Sequence, residues 1–457
     1  MSAENDSEGQ VATAARDGRA MEGVRVLDLG TSVAGPLGPA YMAYHGADVI
    51  KIDTPDQPDV CRLFGASWAN GRDDIEPKGA WLDLSPYVSE WSAGKRSVGL
   101  NMKNPKGRDA LDRLIATCDV FVTNFSPRAV RSLGLTYESV SAVQPDIIYV
   151  SLPGFGSDTS GPYSDYLSFG PNQSPLVGID YLTGTTDRPP AGASKVAISD
   201  YSSALHGFIA TLAALEHRER TGEGTMIDVS QFEATVSMLG PLILEVDATG
   251  ISRERSGNRS DAAAPEGVYQ CRGEDRWIAI SVVDDAAWSA LVEVMGAPSW
   301  STDRRYVTEA GRRADLDALD VGLGAWTADH DAFELTTMLQ NAGVAAHVVS
   351  TVEELADDPQ IKYRGWYRLA PSTRFGRDLF GGNPQNLTAT PGRADAAGPI
   401  LAEHTQDLLA ELGYQPEEVA ALAEEGAVYL PQQLDMTLRR PYDDYVDLIL
   451  GVPGAWS

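Results

Sequence analysis

Cysteine is scarce in this chain. Three thiols (Cys61, Cys118 and Cys271) lie far apart in 457 residues and show no CxxC spacing. That excludes a disulfide framework and fits a reducing cytoplasm. Positive charge is also short: 36 Lys and Arg face 65 Asp and Glu, for a net charge of −29. Nucleic acid and anionic membrane both need extended positive surface, so neither is an expected partner. No apolar run approaches the ~18–20 residues that span a bilayer. Residues 1–20 are polar and lack an apolar h-region, so they read as a disordered tail and not as a signal peptide. The expectation is a soluble cytoplasmic protein. No GxxxxGK[ST] occurs, no GxGxxG follows the first strand, and no His/Cys/Asp cluster has ligand spacing, which argues against ATP, a nucleotide redox cofactor and a metal.

What is present is ordinary for a globular enzyme of two or three domains: 43% hydrophobic and 22% charged residues. One segment stands apart. Lys95 to Arg131 holds eight cations (Lys95, Arg96, Lys103, Lys106, Arg108, Arg113, Arg128, Arg131) against three Asp. It is either a solvated basic face with helix-capping charges or a site that concentrates a polyanion.

Strand-like runs at 24–29, 47–52, 120–122 and 147–151 alternate with helical stretches at 39–44, 106–117 and 127–133. Strand, helix, strand with short connections predicts a doubly wound parallel α/β sheet, with ligands beyond the carboxyl ends of its strands. Gly30, Asn124 and Gly154 fall at such ends. A Gly/Pro/Ser-rich stretch, 153–192, reads as a long functional loop. A helix over 199–219 follows, then a helical segment over 225–245 and a hairpin over 267–283. Near the end come a strand at 345–349 and a helix over 403–422. Residues 257–345 are expected to form a small second domain, 21–250 with 350–430 the large one, and 431–457 a C-terminal extension.

The motifs, in order, resemble the class III CoA-transferases, the CaiB/BaiF family that includes formyl-CoA transferases. They are Gly23-Val24-Arg25-Val26-Leu27-Asp28-Leu29 with Ala34-Gly35-Pro36, Gly46 to Asp53, Gly94-Lys95-Arg96-Ser97-Val98, and Asn124-Phe125-Ser126-Pro127. Gly154-Phe155-Gly156, Arg220 to Gly224, Asn341 to Val344, Asp358-Pro359-Gln360 and Glu403-His404-Thr405 complete the set. The resemblance implies a Rossmann-like doubly wound large domain, a small α+β domain, and an obligate dimer of interlocked rings. It implies CoA transfer between a CoA thioester and a carboxylic acid, with a bulky or dicarboxylic substrate such as an aryl-succinate. Carried over, Asn124 and Phe125 hold CoA, Lys95 and Arg96 are the basic pair after the glycine turn, and Arg128 and Arg131 stand near its phosphates.

The family's transferases use an aspartate as covalent nucleophile, seven residues after a GPY. Here Gly161-Pro162-Tyr163 leads to Gly170 at that place. Glycine forms no anhydride. Either another carboxylate serves (Asp165 or Asp180 nearby in sequence, Glu233 or Asp200 close in space), or the chemistry is that of an acyl-CoA racemase or isomerase. The third alternative is a non-catalytic CoA-binding partner in a heteromer whose paralogous chain carries the Asp. Glycine would also leave room for a bulky acyl group. His206 in its apolar helix and His404 at a helix start read as structural, and His45, before the strand that follows Gly46, is expected to face the crevice.

Overall fold

The computed structural model describes residues 18–54, 58–63, 80–164, 166, 168–192, 197–374 and 376–431. Asp165, the polar N-terminal stretch before residue 18 and the extension after residue 431 lie outside the described residues.

The first compact unit comprises 1–173, 195–240 and 359–457. Its centre is a seven-stranded sheet. The strands in chain order are β1 (Arg25–Asp28), β2 (Asp48–Asp53), β3 (Arg96–Leu100), β4 (Val120–Thr123), β5 (Ile148–Ser151) and β6 (Thr225–Asp228). They lie side by side as β3-β2-β1-β4-β5-β6, all parallel, and Val428–Tyr429 pairs antiparallel to β3 at the edge.

Alternation along each strand feeds two cores, as the period of two requires. Leu27, Ile50, Val98, Phe121 and Tyr149 point to one face, where Leu111, Leu114 and Ile115 of helix Pro105–Ile115 cover them. Val26, Val49, Val120, Val122 and Ile148 point to the other, against Met42, Phe208 and Ala214. Each fully buried aliphatic side chain contributes about 1.5–3 kcal/mol. Helix Pro105–Ile115 starts where it does because the Asn104 side chain accepts from the Lys106 amide and Pro105 occupies the first turn. Helix Ile198–Thr221 ends at Gly222, whose φ of 75° is the left-handed conformation that glycine takes freely.

The second unit, 174–194 and 241–358, holds the antiparallel sheet Glu266–Gln270, Trp277–Ser281 and Ala345–Val348. Helices Asp285–Val294, Leu316–Thr327 and Ala332–Asn341 bury Trp288, Leu291, Leu323 and Leu335 in its core. Residues 174–194 belong to this unit, held by the Thr185–Ser256 bridge and the Gly257 amide on Gly184.

Three local expectations change. Residues 225–228 form β6 and not the start of a helix, because Met226 and Ile227 fall into register with Tyr149 and Val150. The helix expected over 403–422 is two, Thr405–Glu411 and Pro416–Glu424, parted by Gly413 at φ +91°. The stretch 153–192 contains the short helices Gly170–Leu176 and Ile179–Leu182. Among the described residues, no helix is long and apolar enough to cross a membrane.

Candidate active site

The strand order reverses between β1 and β4, so the loops leaving those two strands diverge and open a crevice at their carboxyl ends.

The loop after β1 is pinned from below. Lys95 and Asp28 are both fully buried, and their Nζ and Oδ2 atoms meet at 2.8 Å. Lys95 also donates to the Pro36 carbonyl at 2.7 Å, while Asp28 Oδ1 accepts from the Gly30 amide at 2.8 Å. Burial lowers the Lys95 pKa, and the Asp28 carboxylate opposes that. Beside them Lys51 donates to the Gly30 carbonyl and pairs with Asp59 at 3.1 Å. Burial works against the Lys51 charge too, but Asp59, Asp28 and Asp53 outweigh it and raise the pKa. Asp59 in turn accepts from the Ser32 amide at 2.8 Å. The loop folds back so tightly that a Cβ on Gly35 would stand 2.4 Å from the Gly30 Cα and 2.8 Å from Asn124 Oδ1.

The basic segment therefore divides. Lys95 and Asp28, Arg96 with Asp48 and Glu411, Lys106 and Glu425, Arg108 and Asp112, and Arg113 and Asp109 are ion pairs within the chain. Arg128 and Arg131 are exposed on helix Pro127–Ser132, and among the described residues neither has an ion pair. Phe125 is half-buried against the sheet core.

Asn124 lines the crevice, with its amide spent on Thr31, accepting from its N–H and donating to its carbonyl at 2.9 Å each. The loop after β5 supplies Gly154, Phe155 and Gly156. A Cβ on Gly154 would lie 2.2 Å from the Ser168 Cβ, so only glycine lets the two walls meet. The loop after β6 brings Gln231, whose Nε2 donates to the Leu152 carbonyl at 2.7 Å. Phe155, Tyr163 and Tyr166 stack into an aromatic wall, with centroids 5.0–6.4 Å apart.

These loops enclose a cleft of about 360 Å³, lined by neutral hydroxyls such as Thr31, Ser32, Ser126 and Ser168, by aromatic rings, and by Asp200. Asp200, in the first turn of helix Ile198–Thr221, is 6% exposed. Burial pushes its carboxyl up to about 6, and hydrogen bonding from the Ala34 amide opposes that rise. A Cβ on Gly170 would lie 2.3 Å from Asp200 Oδ2. The space expected to be open at the glycine is thus filled by this carboxylate.

The other sequence candidates lie elsewhere. Glu233 is exposed. Asp180 belongs to the second unit and accepts from Ser174 at 2.7 Å. His206 hydrogen-bonds the Ser202 carbonyl of its own helix. His45 is buried against Asn383, with burial lowering its pKa. His404 Nδ1 accepts from the Ser97 amide. Ser168, Tyr166 and Gln231 escaped the sequence reading. Their roles depend on loops from distant strands, and no local pattern marks them. Among the described residues, no three His, Cys, Asp or Glu side chains are grouped to hold a metal ion.

Comparison with known proteins shows the family. A succinyl-CoA–D-citramalate CoA-transferase from Chloroflexus aurantiacus is 31% identical over 408 residues, 89% of this chain and 98% of that protein. The succinyl-CoA–L-malate CoA-transferase beta subunit of the same organism is 29% identical over 87% of this chain and 96% of that one. The crystal structure of a CAIB/BAIF family protein from Brucella suis superposes with a TM-score of 0.76 at 29% identity, covering 86% of this chain and all of that one. The family model for CoA-transferase family III matches residues 21–405, and the chain belongs to that family.

Proposed function

We infer that this CoA-transferase moves CoA from a succinyl-type thioester to a second dicarboxylic acid, including bulky acids of the aryl-succinate type. The observation that carries the reading is the cleft at the β1/β4 reversal. It offers hydroxyl and amide donors for carboxylate oxygens beside an aromatic wall for a larger substituent. The citramalate and malate transferases to which the chain is similar act, by name, on dicarboxylic acids.

The CoA thioester enters as substrate. Its phosphates meet Arg128 and Arg131, exposed on the helix that begins at Pro127 on the cleft wall. Lys95 and Arg96 support CoA indirectly, by fixing the loop and strand beneath it. The working unit is a dimer. Tyr201, Leu205, Ile209 and Leu212 leave an apolar stripe exposed on the longest helix, which a second subunit would cover. The medium is the cytoplasm.

The test is CoA exchange by the purified full chain, with succinyl-CoA as donor and malate, citramalate, phenylsuccinate and acetate as acceptors, the product thioesters being separated by chromatography. Transfer to the dicarboxylates above acetate supports the reading, and transfer to none of them refutes it. A second reading, a binding partner for a paralogous catalytic chain, is favoured by Gly170 and by similarity to a protein named as a beta subunit. Activity that arises only on co-expression with such a paralogue would establish it.

A further inference from the structure

Among the described residues lining the cleft, Asp200 is the one carboxylate. It is buried, and among the described residues no Lys, Arg or His pairs with it. A buried carboxylate without a cation destabilises the fold, and such groups are kept where chemistry needs them. The backbone makes room for it at one place: Gly170, where any Cβ would overlap Oδ2 and press on the Ala197 Cβ at 3.0 Å. The Ala34 amide, from the loop after β1, steadies the charged form.

CoA transfer from one acid to another must conserve the energy of the thioester. An acyl ester on Ser32, Ser126 or Ser168 would lose it, because a free carboxylate does not displace an alkoxide to regain an activated acyl group. An acyl anhydride and a thioester on a carboxylate both keep it. Among the described residues, the cleft holds one group able to form them.

We propose that Asp200 is the covalent acceptor in CoA transfer, an assignment that rests on the transferase reading above. A carboxylate oxygen of Asp200 attacks the donor thioester. The C–S bond breaks, and CoA thiolate leaves a mixed anhydride. The thiolate attacks the Asp200 carbonyl carbon and the donor acid departs as carboxylate, leaving Asp200 bound to CoA as a thioester. The acceptor carboxylate displaces the thiolate from that carbonyl, forming a second anhydride. Thiolate attack on the acceptor-derived carbonyl then releases the new thioester and restores Asp200. No net proton is taken up, and no oxidant or reductant enters.

The experiment uses the full-length chain with succinyl-CoA, quenched with hydroxylamine and mapped by peptide mass spectrometry, beside the exchange assay. The expected result is a hydroxamate on Asp200, and a loss on the order of 10³-fold or more in transfer by Asp200→Asn, with CoA binding retained and a melting temperature no lower than that of wild type. In an Asp200→Ala background, which clears the space at residue 170, adding Gly170→Asp is expected to recover part of the activity. Wild-type transfer with the hydroxamate on another residue, or undiminished transfer by Asp200→Asn, overturns the assignment and leaves the transferase reading standing. Absence of both transfer and hydroxamate in the wild type overturns both. If Asp200→Asn fails to fold, the wild-type hydroxamate map still decides.

Discussion

Asn124 holds Thr31 by both polar groups of its backbone, with Oδ1 accepting from the N–H and Nδ2 donating to the carbonyl. The two residues leave β4 and β1, the strands between which the sheet reverses, so one side chain ties the two walls of the crevice together. Replacing it by Ala leaves two half-buried backbone groups to water or to nothing. Asn124→Ala is expected to lose about 1–3 kcal/mol and to weaken CoA binding. Asn124→Asp, which keeps the acceptor and loses the donor, should fall between. Urea unfolding and a CoA titration measure the two effects, and an unchanged CoA affinity in Asn124→Ala would show that the tie does not shape the site.

Lys95 and Asp28 form an ion pair with no exposure on either side chain. Lys95→Met strands a buried carboxylate and should cost about 3–5 kcal/mol in urea unfolding. Asp28→Asn combined with Lys95→Met removes both charges and should recover much of that loss. Equal losses in the single and double variants would mean that packing, and not charge, sets the requirement.

Gly154 and Ser168 compensate each other. Gly154→Ala drives a Cβ to 2.2 Å from the Ser168 Cβ, so overpacking should cost about 1–3 kcal/mol and lower kcat/KM for transfer roughly tenfold or more. Adding Ser168→Gly empties the contact and should restore most of the activity. No restoration would place the defect in the loop backbone instead.

The pH response of Asp200 follows from the sign of its shift. Burial raises its folded-state pKa to about 6 from an ordinary value of 3.8, so the folded chain holds the proton more tightly than the unfolded one. That contribution to stability is complete below about pH 4 and is lost as pH rises through about 6. Asp200→Asn removes the loss and should be more stable than wild type above pH 6 by about 1–3 kcal/mol. The transfer rate should move oppositely, rising through about pH 6 as the nucleophile ionises. The Cys61 thiol lies near this carboxylate but is pushed up by burial and stays neutral across that range. Thermal melts and initial rates over pH 4–8 would show whether the two profiles cross as expected.

The stripe Tyr201, Leu205, Ile209 and Leu212 recurs at helical spacing on one face, and Ile209 is 64% exposed. If a second subunit covers it, Leu205→Asp with Ile209→Asp should convert a dimer to monomer in sedimentation velocity. A wild-type monomer would remove the premise.

The repetition of β-rich runs and helical stretches determined the sheet, because strands buried on both faces must be apolar along their whole length and the short links between them permit only parallel crossovers. It also placed Gly30, Asn124 and Gly154 at carboxyl ends, since turn chemistry is local. Met226 and Ile227 escaped that reading, because a four-residue edge strand leaves too few alternations to compete with the helical residues around it. The fate of the basic segment was a matter for tertiary structure. Lys95 lies 67 positions from Asp28 in sequence, and only sheet pairing and loop closure bring them together. The same holds for the site's chemistry. Gly170 stands where the resemblance leads one to expect a carboxylate, but the chain's folding over 30 residues decided that Asp200 would lie against it, because contact between segments distant in sequence is set by packing and by no local pattern.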